Sequence, residues 1–250
     1  MRNAIIHFCS NANTCYKTHF QHGLVRFART NGWRLVSIDA KPTPAIRRLI
    51  PRLLREYTPL GAITTFHEGV EDAWPDDLPC VWVDTYPRVR KAQEATVYAD
   101  NVAIARMAAE ELLRDHTPRT YACFSLPNIS WTCERAQTFA EAIRAAGCTC
   151  RIVNIAISDD NFSLCTQLVK KALRDLPRPL GVFAVNDQMA NQVMLAAEML
   201  GLRVPEELSL VGVDNDEALC LSGPTAITSI QPDWDRCGWL AGEALQQMTL

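Results

Sequence analysis

The chain has 250 residues, 48% hydrophobic and 21% charged, with a net charge of −3 at pH 7. This is an ordinary globular composition, long enough for one large α/β domain or two lobes. The acidic balance, with pI ≈ 6.0, argues against this segment holding duplex DNA by itself, because phosphate binding needs a basic face.

Short β-rich runs alternate with amphipathic segments of helix length. Strands are predicted at 2–9, 34–38, 61–66 and 80–84, with helices at 17–31 and 45–57 between them. Pro51 falls inside the second helix and is expected to kink it or to mark its start. That helix carries Arg47, Arg48, Arg52 and Arg55 with no aromatic or turn motif beside them, so they read as a solvated face. Asp100-Asn101 then caps a helix running to 115, with Ala103, Ala108 and Leu112 inward.

The alternation restarts after Thr117-Pro118. Strands are predicted at 120–125, 151–155, 181–185 and 208–213, and helices at 131–146, 162–176 and 188–200. A short strand at 226–230 and a helix from Trp234 onward close the chain. Repeated βαβ units with short loops imply parallel sheets with helices on both faces. The second half repeats the first, so the expected fold is α/β with two similar doubly wound lobes. The last helix has an apolar face (Trp239, Leu240, Ala244, Leu245, Met248) and no capping residue, and reads as part of a longer protein.

Cysteine usage fits a reducing, cytoplasmic compartment. Ten cysteines are present without a CxxC pair; Cys148-x-Cys150 is the closest spacing, and Cys9, Cys80, Cys123 and Cys220 lie in apolar runs as small core residues. Met1-Arg2-Asn3 leads directly into an apolar run, so no secretory leader is expected. The five histidines are scattered; His19 and His22 share a helix face but lack further ligands, so no metal and no cofactor is expected.

Chemistry concentrates between Leu180 and Asp233. The runs 181–185 and 208–213 each end in a polar pair, Asn186-Asp187 and Asp214-Asn215. Those pairs sit at the C-terminal ends of strands, the edge where open parallel sheets bind small ligands. No nucleophile, histidine or glycine-rich phosphate loop accompanies them, and no Gly-x-Ser-x-Gly elbow occurs in the chain. The pattern suits binding a polar molecule rather than transforming it, and no enzyme activity is expected.

Three segments carry a family resemblance. They are Asn186-Asp187-Gln188-Met189-Ala190, the run from Gly201-Leu202-Arg203-Val204-Pro205 to Gly212-Val213-Asp214, and Ala226-Ile227-Thr228-Ser229-Ile230-Gln231. With Asp100-Asn101 before an Ala-rich helix and Ser130 to Arg135 opening another, they resemble the effector-binding domain of the lactose/galactose-repressor family. Asn11-Ala12-Asn13-Thr14-Cys15-Tyr16 and Trp131-Thr132-Cys133-Glu134-Arg135 are similar to segments of its xylose-responsive members. The resemblance implies a type I periplasmic-binding-protein fold with a ligand cleft between the lobes. It implies lobes of residues 1–117 plus 230–250 and of residues 118–229. It also implies a monosaccharide effector, a pentose such as xylose first, a homodimer, no membrane partner, and a DNA-binding module beyond residue 250. A transport-type sugar-binding protein and an α/β hydrolase are the alternatives.

The candidate contacts come from the chemistry of hydroxyl recognition. Asp214 can accept two hydroxyls or cap a helix at 215–219. Arg135 can donate its fork to the sugar or pair at the surface with Glu134 or Glu141. One of Asn186 and Asp187 caps the next helix, with Asp187 the expected cap and Asn186 the better ligand. Asn11, Asn13 and Tyr16 come after the first strand, and Asp84 and Gln231 are second-tier contacts. Trp131, Tyr16 and Trp82 can supply flat apolar walls or pack in the core.

Overall fold

Five strands, β1 (Ala4–Cys9), β2 (Arg34–Asp39), β3 (Gly61–Thr65), β4 (Cys80–Val83) and β5 (Glu94–Val97), form one parallel sheet in the order β2-β1-β3-β4-β5. Five more, β6 (Thr120–Ser125), β7 (Thr149–Asn154), β8 (Leu180–Ala184), β9 (Leu208–Val213) and β10 (Thr228–Ile230), form a second parallel sheet, β10-β9-β8-β6-β7. The structure is a computed structural model and describes residues 3–9, 14–39, 44–65, 73–83, 93–114, 120–156 and 161–250. Taken from the opposite edge, the second sheet repeats the winding of the first. In each sheet the strand order reverses beside its first strand, which creates a crevice at the strand ends.

The chain divides into two units, Met1–Ala99 with Asp233–Leu250, and Asp100–Pro232. The first holds helices α1 (Thr14–Thr30), α2 (Pro44–Tyr57) and α8 (Trp234–Thr249). Helix α2 begins at Pro44 and carries Pro51 in its interior, so Pro51 is not its start. Helix α8 packs on α1 at backbone distance. A Cβ at Gly238 would lie 2.1 Å from the Phe20 carbonyl oxygen, and one at Gly23 1.8 Å from the Asp235 carbonyl oxygen. Polar contacts border this seam: Asp235 accepts from His22 at 2.6 Å and from Arg26, and Gln246 donates to Asn31 at 2.9 Å. The interior strand β4 is buried along its whole length, as Cys80, Val81, Trp82 and Val83.

The second unit holds α3 (Asn101–Leu113), α4 (Ser130–Ala145), α5 (Phe162–Arg174), α6 (Asp187–Met199) and the single turn α7 (Glu217–Cys220). The expected boundary at 117 differs from the observed one at Ala99, because α3 belongs here. Its face of Ile104, Ala105, Ala108, Ala109 and Leu112 is buried, and it packs against α4 and strands β8, β9 and β10. Asp100 caps it, accepting from the Ala103 N–H at 2.8 Å. Strand β8 is buried throughout, and with β6 and β9 it forms the middle of an apolar core that includes Phe124, Val182, Met189 and Val193.

Two elements escaped the pattern analysis, β5 and α7. Strand β5 is an edge strand, half-buried along its length and opening on Glu94, so it lacks the apolar run that marks an interior strand. Helix α7 spans four residues, too short for a helical period to show.

Candidate functional site

The strand-end edge of the second unit gathers most of the predicted contacts. Between β6 and α4 the chain is fixed by Thr132, whose hydroxyl donates to the Leu126 carbonyl at 2.7 Å. This sets the start of α4, so that Trp131 and Arg135 fall one turn apart. Arg135 is only 3% exposed. Its Nε donates to Asn101 Oδ1 at 2.9 Å and its Nη1 to the Val185 carbonyl at 2.7 Å. Its guanidinium carbon lies 4.6 Å from the centroid of the Trp131 ring. Asn101 in turn donates to Glu134 at 3.0 Å. Arg135 therefore does not pair directly at the surface with Glu134. Asn101 stands between them, and the fork is held rigid by α3, β8 and an aromatic face.

In the polar pair after β8 the cap is the first residue, not the expected Asp187. Asn186, with extended φ −154° and ψ 169°, is the cap of α6, and its Oδ1 accepts from the Met189 N–H at 2.9 Å. Asp187 is fully buried. It accepts from the Asp216 N–H at 2.8 Å, from the Ser229 hydroxyl at 2.7 Å and from the Cys220 thiol at 3.3 Å. A carboxylate enclosed in this way is not presented to a ligand. Burial pushes its carboxyl above the ordinary 3.8, while the bonds from Ser229, Asp216 and Cys220 oppose that shift. Burial and then the Asp187 charge push the Cys220 thiol up to about 12, which keeps it a protonated donor rather than a nucleophile.

The pair after β9 turns instead of entering a helix. Asp214 has φ 110° and Asn215 φ 52°. Asp214 is 5% exposed, and its N–H donates to the Ile230 carbonyl at 2.8 Å. The cap of α7 is Asp216, which accepts from the Ala218 N–H at 3.1 Å, so Asp214 does not serve that role. The Asn215 N–H donates to Ser229 Oγ at 3.0 Å, and its side chain to Gln231 Oε1 at 3.1 Å. Gln231 is thereby joined to the same turn.

In the first unit Tyr16 is 3% exposed. Its ring stacks on Phe20 at 5.8 Å and meets Trp234 edge-on at 4.6 Å, so it packs in the core. Trp82 is fully buried and is a core residue as well. Asn11, Asn13 and Asp84 lie outside the described residues. Among the described residues no three His, Cys, Asp or Glu side chains are grouped to hold a metal ion. None of the helices there is long and apolar enough to cross a membrane.

Asn101 and Ser229 were not among the contacts assigned from the sequence. Asn101 comes directly after a capping Asp and reads as an ordinary first-turn residue, and its partner Arg135 is 34 positions away. The edge thus offers a fixed cation, an aromatic face, an amide and a carboxylate at the ends of β6, β8, β9 and β10. That set can recognise adjacent hydroxyls, and it contains no nucleophile joined to a base.

Two parallel sheets of matching winding, with polar groups at the strand ends, define the type I periplasmic-binding-protein fold. Residues 109–249 match the periplasmic binding protein-like domain, and the chain belongs to that family, in the form found in lactose-repressor-type regulators. The chain is 27% identical over 235 residues to the HTH-type transcriptional repressor PurR of Photobacterium profundum, covering 90% of this chain and 68% of that one. It is 24% identical over 208 residues to the xylose operon regulatory protein of Escherichia coli, covering 78% of this chain and 52% of that one. Among solved structures, a periplasmic binding protein/LacI transcriptional regulator from Alkaliphilus metalliredigens, complexed with D-xylulofuranose, superposes with a TM-score of 0.79 at 17% identity, covering 99% of this chain and 91% of that one. The chain spans about half the length of the xylose operon regulatory protein.

Proposed function

We propose that this chain is the effector-sensing part of a cytoplasmic, sugar-responsive transcription regulator, binding a neutral monosaccharide, a pentose first. The observation that carries this reading is that neighbouring strand ends of one sheet bear a rigidly held Arg135 beside Trp131 and a largely buried Asp214. A planar donor fork and a carboxylate acceptor match adjacent hydroxyls, and the indole covers a C–H face. A phosphorylated ligand calls for several cations or a glycine-rich amide nest, and at this edge Arg135 stands without either among the described residues. The pentose assignment is supported by likeness to the xylose operon regulatory protein and to the regulator complexed with D-xylulofuranose.

Such a sensor works by differential affinity, with the sugar stabilising one conformation over another. On this reading DNA is contacted through a module outside this chain, and the 250 residues alone are expected not to retard duplex DNA in a gel-shift measurement. A homodimer is supported by α5, which leaves Phe162, Leu164 and Leu168 51%, 55% and 44% exposed. Sedimentation of the wild type against L164D and L168D reads that contact. The ligand test is a melting-temperature screen of pentoses, hexoses, sugar phosphates and purines. Stabilisation by neutral pentoses is expected. A rise with phosphorylated or purine compounds alone overturns the sugar reading, and preference for glucose over xylose overturns the pentose assignment.

A further inference from the structure

We propose that Asp187 is a positioning residue for effector binding: a buried carboxylate latch that fixes the turn carrying Asp214 without touching the effector. The inference rests on the reading of Asp214 as a sugar contact.

The turn from Asp214 to Asp216 needs an external constraint. Two consecutive non-glycine residues there have positive φ, 110° and 52°, a backbone state that side chains disfavour. Asp187 supplies the constraint from the first turn of α6. Oδ2 receives the Asp216 N–H at 2.8 Å and the Cys220 thiol at 3.3 Å, which ties down the end of the turn and the start of α7. Oδ1 receives the Ser229 hydroxyl at 2.7 Å, and the Ser229 oxygen accepts the Asn215 N–H at 3.0 Å, which ties down the middle of the turn through β10. One side chain thus joins α6, α7, β10 and the turn after β9.

The chain makes room for this carboxylate at Gly212. A Cβ there would lie 2.2 Å from Asp187 Oδ1 and 3.1 Å from the Ala190 Cβ. Gly212 has no positive φ, so backbone freedom is not what position 212 requires. It requires an empty space, two residues before Asp214, into which Asp187 projects. Burial makes the carboxylate costly to desolvate, and the bonds from Ser229, Asp216 and Cys220 offset part of that cost. A group held in that way is stiff, and it transfers that stiffness to the turn.

The latch is tested with two kinds of change. D187A removes it, and G212A leaves the carboxylate in place but drives it off its site. S229A severs the Oδ1 arm, and S229T keeps the hydroxyl. V169A, in the fully buried core face of α5, is the control for general destabilisation. Two quantities are read: D-xylose affinity by calorimetry, and hydrogen exchange of the Asp216 amide in ligand-free protein. D187A and G212A are expected to lower affinity and Asp216 protection at least tenfold. S229A should have a smaller effect that S229T restores. V169A should lower the melting temperature and move neither quantity.

Wild-type affinity and protection in folded G212A overturn the latch, as does an equal loss in V169A at matched melting temperature. If D187A does not fold, G212A and the Ser229 pair carry the test. If wild-type protein does not bind D-xylose, the pentose reading fails, and Asp216 exchange alone then decides whether Asp187 holds the turn.

Discussion

Strands β8 and β9 end in the same two residue types in opposite order, Asn186-Asp187 and Asp214-Asn215. Their fates differ because the two strands lead into different elements. Strand β8 runs straight into α6, so its first polar residue takes the extended conformation of a helix cap and its second is carried inward on the first turn. Strand β9 runs into a positive-φ turn, and its helix, α7, starts two residues later with Asp216 as cap. Asp214 therefore keeps its carboxylate at the strand-end edge, while Asp187 is enclosed. The position of a carboxylate relative to the next helix N-terminus, rather than its place at a strand end, decides whether it is enclosed by bonds from neighbouring elements.

The largest effects should come from the residues assigned to the ligand. D214A and R135A should each weaken sugar binding by about 1.5–3 kcal/mol, roughly tenfold to over a hundredfold, read by calorimetry. R135A should also lower stability, since it leaves Asn101 and the Val185 carbonyl without a buried donor. Unchanged affinity in both variants would place the pocket elsewhere.

The capping assignment is sharper in stability than in binding. N186A should cost about 1 kcal/mol in urea denaturation, as for other lost helix caps. Unchanged stability there would return the cap to Asp187. At the contrasting turn, N215A should destabilise by roughly 1 kcal/mol, the cost of a left-handed backbone for an ordinary side chain. N215G should cost less, because glycine adopts that conformation freely. Equal losses for the two would mean that the side-chain bond to Gln231, rather than the backbone, controls the turn.

The smallest expected effect is a pH dependence. The Asp187 carboxyl is raised above 3.8 by burial, so the native state holds its proton more tightly than the unfolded chain. Its contribution to stability is fully present below about 3.8 and is lost as pH rises through the raised native value. Stability should fall across that window, and in D187N this component should vanish. Asp216 and Cys220 are the other titratable groups bearing on the site. An identical pH profile in D187N would overturn the assignment to Asp187.

Much of the architecture was legible in the chain. Alternation of apolar runs with amphipathic segments specified nine of ten strands and the seven longer helices, because a parallel strand buried on both faces and a helix with one apolar stripe leave distinct periods. The polar pairs after β8 and β9 marked the strand ends for the same reason: an apolar run that stops abruptly at a polar residue is a strand reaching its end. Strand β5 and helix α7 were not legible, one being a half-exposed edge and the other a single turn.

The sequence by itself determined the fold class and the repeated winding, and it put Arg135 one turn into a helix and Asp214 at a strand end. Tertiary structure alone decided that α3 belongs to the second unit, that Tyr16 and Trp82 are core, and that Asn101 holds Arg135. It alone decided that Asn186 caps while Asp187 is enclosed. Periodicity reports which face of one element is buried, but a hydrogen bond between residues 34 or 42 positions apart depends on where separate elements meet, and no local pattern encodes that meeting.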